Sequence, residues 1–154
     1  MAATPALLQS IVDATSPESL EWKPSDEAWS TRDVLAHLLY VETAVIGERI
    51  RRMVEEENPP LGAAPRPTSP ENTLRLVQSW LAAREANLRY LGALTPDQLD
   101  RTGRHPRYGP ISVREHVVEW AYHDLDHLRQ ILAALQSGLY PDIGPFQALY
   151  PKPS

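Results

Sequence analysis

Prolines decide where this chain can be helical. Fifteen of them are a heavy load for a folded domain, yet most cluster in "NPPLGAAPRPTSP" and in the tail "YPDIGPFQALYPKPS", between segments of regular apolar periodicity. A proline inside a helix removes a backbone donor and clashes with the preceding turn, so this distribution punctuates helices instead of breaking them. No alternating pattern of useful strand length, no internal repeat and no further low-complexity tract is found. The expected class is all-α.

Four helical segments can be placed. The first spans about Pro5 to Asp13, with Leu7, Leu8, Ile11 and Val12 as a short apolar stripe. The second opens at "WSTRD": Ser30 caps the free amides, Asp33 completes a capping box, and Trp29 can staple onto Val34. It carries Val34, Leu38, Val41 and Val45 and is expected to run to about Glu57, where two prolines stop it. The third opens at "SPEN", with Ser69 as cap, Pro70 in the first turn, and Leu74, Val77, Leu81, Leu88 and Leu91 marking its buried side. "TPDQ" begins a separate short turn. The last opens at "SVRE", a second capping box from Ser112 and Glu115, and is expected to reach about Gln136, with Gly138 ending it. Helices of this length with one apolar face each are satisfied by a four-helix bundle. A single domain over residues 1–154 is expected, with a proline-rich tail from about residue 137.

An apolar fraction of 42% and a formal charge of −5 argue against disorder and against an electrostatic grip on nucleic acid or anionic membrane. The absence of cysteine removes disulfides, thiolate ligands and a cysteine nucleophile. The first residues lack a basic segment followed by an apolar run, and no window approaches the roughly 20 apolar residues of a membrane span. A soluble, cytoplasmic protein with neither nucleic acid nor membrane as partner is expected.

Three of the five histidines fall in "HVVEWAYHDLDHLRQ". At about 3.6 residues per turn, His123 and His127 differ by about 40° around their helix, and His116 lies about 20° from His123. Imidazoles four positions apart can reach one metal ion. His37 shares the register of Val34 and Val41, so it too points inward. The resulting candidate set is His37, His123 and His127. Three neutral imidazoles leave a divalent ion with an open position, and a water there can have its pKa lowered from roughly 15.7 to about 7. "HDLDH" also resembles the two-histidine metalloprotease motif, but Asp124 is one methylene shorter than the glutamate that motif needs. A role in helix packing or in supporting a ligand suits Asp124 better.

Taken together, "WSTRDVLAHLLYVE" and "SVREHVVEWAYHDLDHLRQI" resemble the DinB-like, or damage-inducible-protein, superfamily of metal-binding four-helix bundles. The resemblance covers nearly the whole chain. It implies that His37, His123 and His127 bind a divalent metal such as Zn²⁺, Ni²⁺ or Fe²⁺. Relatives include thiol-dependent S-transferases and isomerases using bacillithiol, mycothiol or glutathione, predicted metal-dependent hydrolases, and members without a known reaction. By resemblance the expected activity is a metal-dependent S-transferase or hydrolase acting on a small molecule, with a low-molecular-weight thiol as a candidate cosubstrate and a homodimer as the assembly. A noncatalytic metal-binding or stress-associated bundle is the competing expectation. The family name records induction by DNA damage and implies no polymerase.

Other residues carry both a functional and a plain reading. His116 suits a fourth ligand or a proton shuttle, or packs beside Ile111 at the helix start. Glu119 suits an acceptor orienting His123, or a solvated carboxylate. Tyr40 can offer a phenol, or pack. Trp120 is expected to wall a pocket. Arg84 interrupts an apolar stripe, either holding an anionic group or snorkelling. Gln130 can touch substrate, or bond a neighbouring helix. His105 is expected to lie exposed in a loop, Trp22 and Trp80 to pack, and "ERIRRMVEEE" to form a solvated helix end.

Overall fold

The computed structural model describes residues 3–63, 65 and 72–153. Helix α1 spans Thr4–Asp13 and α2 Pro17–Glu21, the latter capped by Ser16. A long rod then begins at α3, Thr31–Tyr40, passes through a π-helical segment, Val41–Val45, and continues as α4, Ile46–Glu55. Its start follows the sequence signal: the Ser30 side chain accepts from the Asp33 amide, and the Asp33 carboxylate accepts from the Ser30 amide. The π segment could not be read from periodicity. Gly47 makes it possible, because a Cβ there would lie 2.2 Å from the Glu42 carbonyl oxygen.

Helix α5 spans Thr73–Gly92 and is capped by Asn72, whose Oδ1 accepts from the Arg75 amide. The expected start at Ser69 and Pro70 lies outside the described residues, and the regular helix begins after it. Its buried side is also rotated from expectation. Leu74 is 52% exposed, while Leu76, Val77, Trp80, Arg84 and Asn87 face the interior. After α6, Pro96–Leu99, comes an element the sequence reading excluded: an antiparallel hairpin of β1, Thr102–His105, and β2, Gly109–Ser112. Four residues per strand, with Gly103 and Pro110 inside, leave too little alternation to recognise. Helix α7 then runs from Val113 to Leu139 behind the Ser112–Glu115 capping box. Gly138 does not end it but packs against the Trp22 ring, and a 3₁₀ segment, Tyr140–Leu149, follows.

The result is an all-α four-helix bundle of α1, the α3–α4 rod, α5 and α7, with the hairpin beside α4 and α7. Two apolar clusters fill it. One joins Leu8, Leu35, Leu38, Leu76, Trp80 and Ile131; the other joins Val41, Ile46, Ile50, Met53, Val113 and Trp120. Between them lies a polar layer. Arg84 is fully buried, its guanidinium 4.7 Å from the Trp80 ring centroid and 5.2 Å from that of Trp120. It donates to Glu42 on the π segment and to Asp124 on α7, and Asn87 Nδ2 donates to Glu42 Oε1 at 2.9 Å. Among the described residues no helix is long and apolar enough to cross a membrane.

Candidate metal centre

His37 sits on the last full turn of α3, and His123 and His127 on successive turns of α7. The two helices pack against each other, and their histidines meet. Nε2 of His123 lies 3.2 Å from Nε2 of His37 and 3.1 Å from Nε2 of His127. One potential ligand atom from each ring falls within 4.8 Å of the others, so the cluster is able to coordinate a metal ion.

The donor set fits a small divalent cation. Ligand nitrogens about 2.0–2.1 Å from an ion stand about 3.3–3.4 Å apart in a tetrahedron and about 2.9 Å apart at adjacent octahedral corners. The distances of 3.1 and 3.2 Å lie between these limits. Protonation agrees. Gln130 Oε1 lies 2.8 Å from His127 Nδ1 and accepts from it, which leaves Nε2 as the nitrogen turned to the cluster. Burial pushes His123 below the usual imidazole value, and neighbouring His127 pushes the same way, favouring the neutral form that a metal needs. Trp29 covers one side, its ring 5.1 Å from that of His37 and stacked at 6.3 Å on that of His127.

On the other side a cleft of about 450 Å³ opens beside His123, between the π segment, α4, the hairpin and the first turns of α7. Val41, Val45, Ile46 and Ile111 give it apolar walls. His116, Glu115, Glu119, Arg49, His105 and the Tyr108 hydroxyl are its polar members. His116 is only 5% exposed; its Nδ1 faces Glu119 Oε2 at 3.4 Å, and its buried Nε2 has no partner among the described residues. The His116 ring holds the Glu119 carboxyl below the usual carboxylate value, against burial, which works the other way.

Several site expectations move. Arg84 holds the protein's own carboxylates, not a ligand. Trp120 is a buried core residue over that guanidinium and is not among the residues that line the cleft beside His123. Gln130 bonds His127 on its own helix instead of a neighbouring one. Glu119 faces His116, and His123 Nδ1 is left buried without a partner among the described residues. Tyr40 packs beside the second apolar cluster. His105 ends β1 half-buried in the cleft instead of standing exposed in a loop. Asp124 has the packing role expected of it. Glu42 and Asn87 were missed, although both carried a signal. Glu42 follows Leu35 by seven residues and Leu38 by four, an interior register for a carboxylate, and Asn87 follows Arg84 by three.

The chain belongs to the DinB superfamily, which it matches over residues 1–131. Among solved structures it is similar to YfiT from Bacillus subtilis, a probable metal-dependent hydrolase with an unusual four-helix bundle topology. That match has a TM-score of 0.75 and 19% identity, covering 89% of this chain and 82% of the other. It is also similar to TT2238, a four-helix bundle protein, with a TM-score of 0.62 and 23% identity over 86% of this chain and 92% of the other. At these identities the likeness is one of fold. No curated protein matches the chain.

Proposed function

We propose that this chain is a divalent-metal-dependent enzyme acting on a small molecule in the cleft, as a hydrolase or a thiol-dependent S-transferase. His37, His123 and His127 hold Zn²⁺, Ni²⁺ or Fe²⁺. When bound, such an ion supplies Lewis acidity toward a water, a thiol or a substrate oxygen. With no cysteine in the chain, any thiol arrives with a cosubstrate. Val41, Val45 and Ile46 exclude water from the reacting groups, and Gln130 keeps the His127 lone pair on the cluster side. His116 and Glu119 are the proton-carrying pair: Glu119 orients Nδ1–H, and Nε2 is the atom that takes up or releases the proton.

The observation that carries this reading is the meeting of three Nε2 atoms beside a cleft. Metal analysis of protein purified without a histidine tag, after offering each ion, tests it. One ion per chain is expected, lost in His123→Ala; no uptake by the parent chain refutes it. The cluster also bridges α3 and α7, which favours a second reading in which metal only fastens the bundle. Strong loss of thermal stability on chelation, with no turnover of ester, amide or thiol-plus-electrophile substrates, would select that reading.

A further inference from the structure

The cleft beside His123 contains a cation that meets no carboxylate among the described residues. Arg49, on α4, is half-buried there, and among the described residues its one hydrogen bond is from Nε to the Gly62 carbonyl at 3.3 Å. No carboxylate of the described residues lies within ion-pair distance of it. Other half-buried arginines are satisfied differently. Arg51 donates to the Gly47 carbonyl and to Asn87, and Arg101 to the carbonyls of Met53 and Glu56. Burial weighs against the Arg49 charge and lowers its pKa, with only the more distant fields of Glu119 and Tyr40 opposing. A guanidinium partly drawn out of water beside apolar walls gains more from a bound anion than one in bulk solvent does.

The cleft's own carboxylates do not fill that role. Glu115 accepts from the backbone amide and the hydroxyl of Ser112, both at 2.8 Å, as part of the α7 cap. Glu119 faces His116. A second donor is available on the hairpin. The Arg107 and Tyr108 amides donate to His105 Nδ1 at 3.2 and 3.3 Å, so the neutral ring carries its proton on Nε2. Ring stacking on Tyr108, with centroids 4.7 Å apart, holds that orientation.

We propose that this cleft recognises small organic monocarboxylates with an apolar body: Arg49 takes the carboxylate, His105 Nε2–H assists, and Val41, Val45, Ile46 and Ile111 surround the body. The inference rests on the cleft being the substrate site of the proposed enzyme. One guanidinium in a planar fork suits a carboxylate. A phosphate dianion would find only one full cation there, with Glu115 and Glu119 nearby.

Titration calorimetry with phenylpropanoate, its primary amide, phenylpropylamine and inorganic phosphate tests the assignment. Each probe is run on the full chain loaded with Zn²⁺ and again in EDTA, and repeated on Arg49→Gln and Arg49→Lys. The carboxylate is expected to bind about tenfold or more tighter than the amide in both metal states. Arg49→Gln should erase that ratio while leaving amide binding intact, which shows that the cleft still folds, and Arg49→Lys should restore part of it. Equal binding of acid and amide, preference for the amine or phosphate, or no binding of any probe would overturn the inference. So would a preference that survives Arg49→Gln but vanishes in EDTA, since the ion would then hold the anion. Absence of metal uptake defeats the enzymatic reading alone; the acid-to-amide ratio in EDTA still decides this one.

Discussion

Arg84 and Asp124 join the two halves of the interior: Nη2 donates to Oδ1 at 2.8 Å while the same guanidinium grips Glu42 across the bundle. Asp124 immediately follows His123, and Glu42 follows His37 by five residues. The network therefore ties together the two segments that carry the histidine cluster.

Replacing Arg84 with Met leaves two buried carboxyl groups without their cation. Removal of one member of a buried ion pair costs on the order of 3–5 kcal/mol, and Arg84→Met is expected to lose at least that much in urea unfolding. Arg84→Lys should recover only part, because an ammonium cannot reproduce the forked contacts to both acids. A loss below about 1 kcal/mol in Arg84→Met would show that the layer is not holding the bundle.

Much of this was legible in the sequence because helix caps and side-chain spacing are local. The Ser30–Asp33 and Ser112–Glu115 boxes placed two helix starts, and the four-residue step from His123 to His127 placed both rings on one seam. His37 could be added because the α3 cap fixed its phase. What escaped was set by long-range contact or by irregular backbone. The π segment depends on Gly47 tolerating the Glu42 carbonyl, and the hairpin strands are too short to show a period. Arg84 looked like a free cation in an apolar stripe because both its acids come from other helices.

Gln130 gives a sharper check on the cluster than the histidines do, since it acts on His127 without belonging to the cluster itself. Its Oε1 accepts from His127 Nδ1 at 2.8 Å. Loss of such an outer partner typically lowers metal affinity about 10–100-fold. Gln130→Ala is expected to weaken Zn²⁺ binding in that range by competition with a chromogenic chelator, with little change in chelated-state stability. Unchanged affinity would mean that the His127 ring is oriented by packing on Trp29 alone.

The α3 cap sets an acid-dependent part of stability. Burial alone would raise the Asp33 pKa, but the Lys23 ammonium at 2.7 Å and the Ser30 amide more than offset it, so it lies below the ordinary aspartate value. A depressed folded-state pKa contributes stability that is present above the unfolded value, about 3.9, and is lost as pH falls through the folded one. Asp33→Asn should therefore lower the urea midpoint near neutral pH, and its deficit against the parent chain should shrink as the pH is taken below about 4. A deficit independent of pH would assign the effect to lost hydrogen-bond geometry and not to charge.

One face of α7 has no partner among the described residues. Val118, Tyr122, Leu125, Leu132 and Leu139 are all at least half exposed, and their steps of four, three, seven and seven residues keep them on one stripe, as in a helix seam. Two copies meeting through this stripe in antiparallel fashion would bury the same residues on both sides, the self-complementary contact a twofold dimer requires. The stripe lies away from the side of α7 that bears His123 and His127, so such an assembly leaves the cleft open. The parent chain is expected to run as a dimer in light scattering coupled to size exclusion, and Leu125→Glu with Leu132→Glu to run as a monomer with metal uptake retained. A parent chain that is monomeric at concentrations on the order of 100 µM, well above the micromolar dissociation constants that interfaces of this kind reach, would rule out the homodimer that the family resemblance implies.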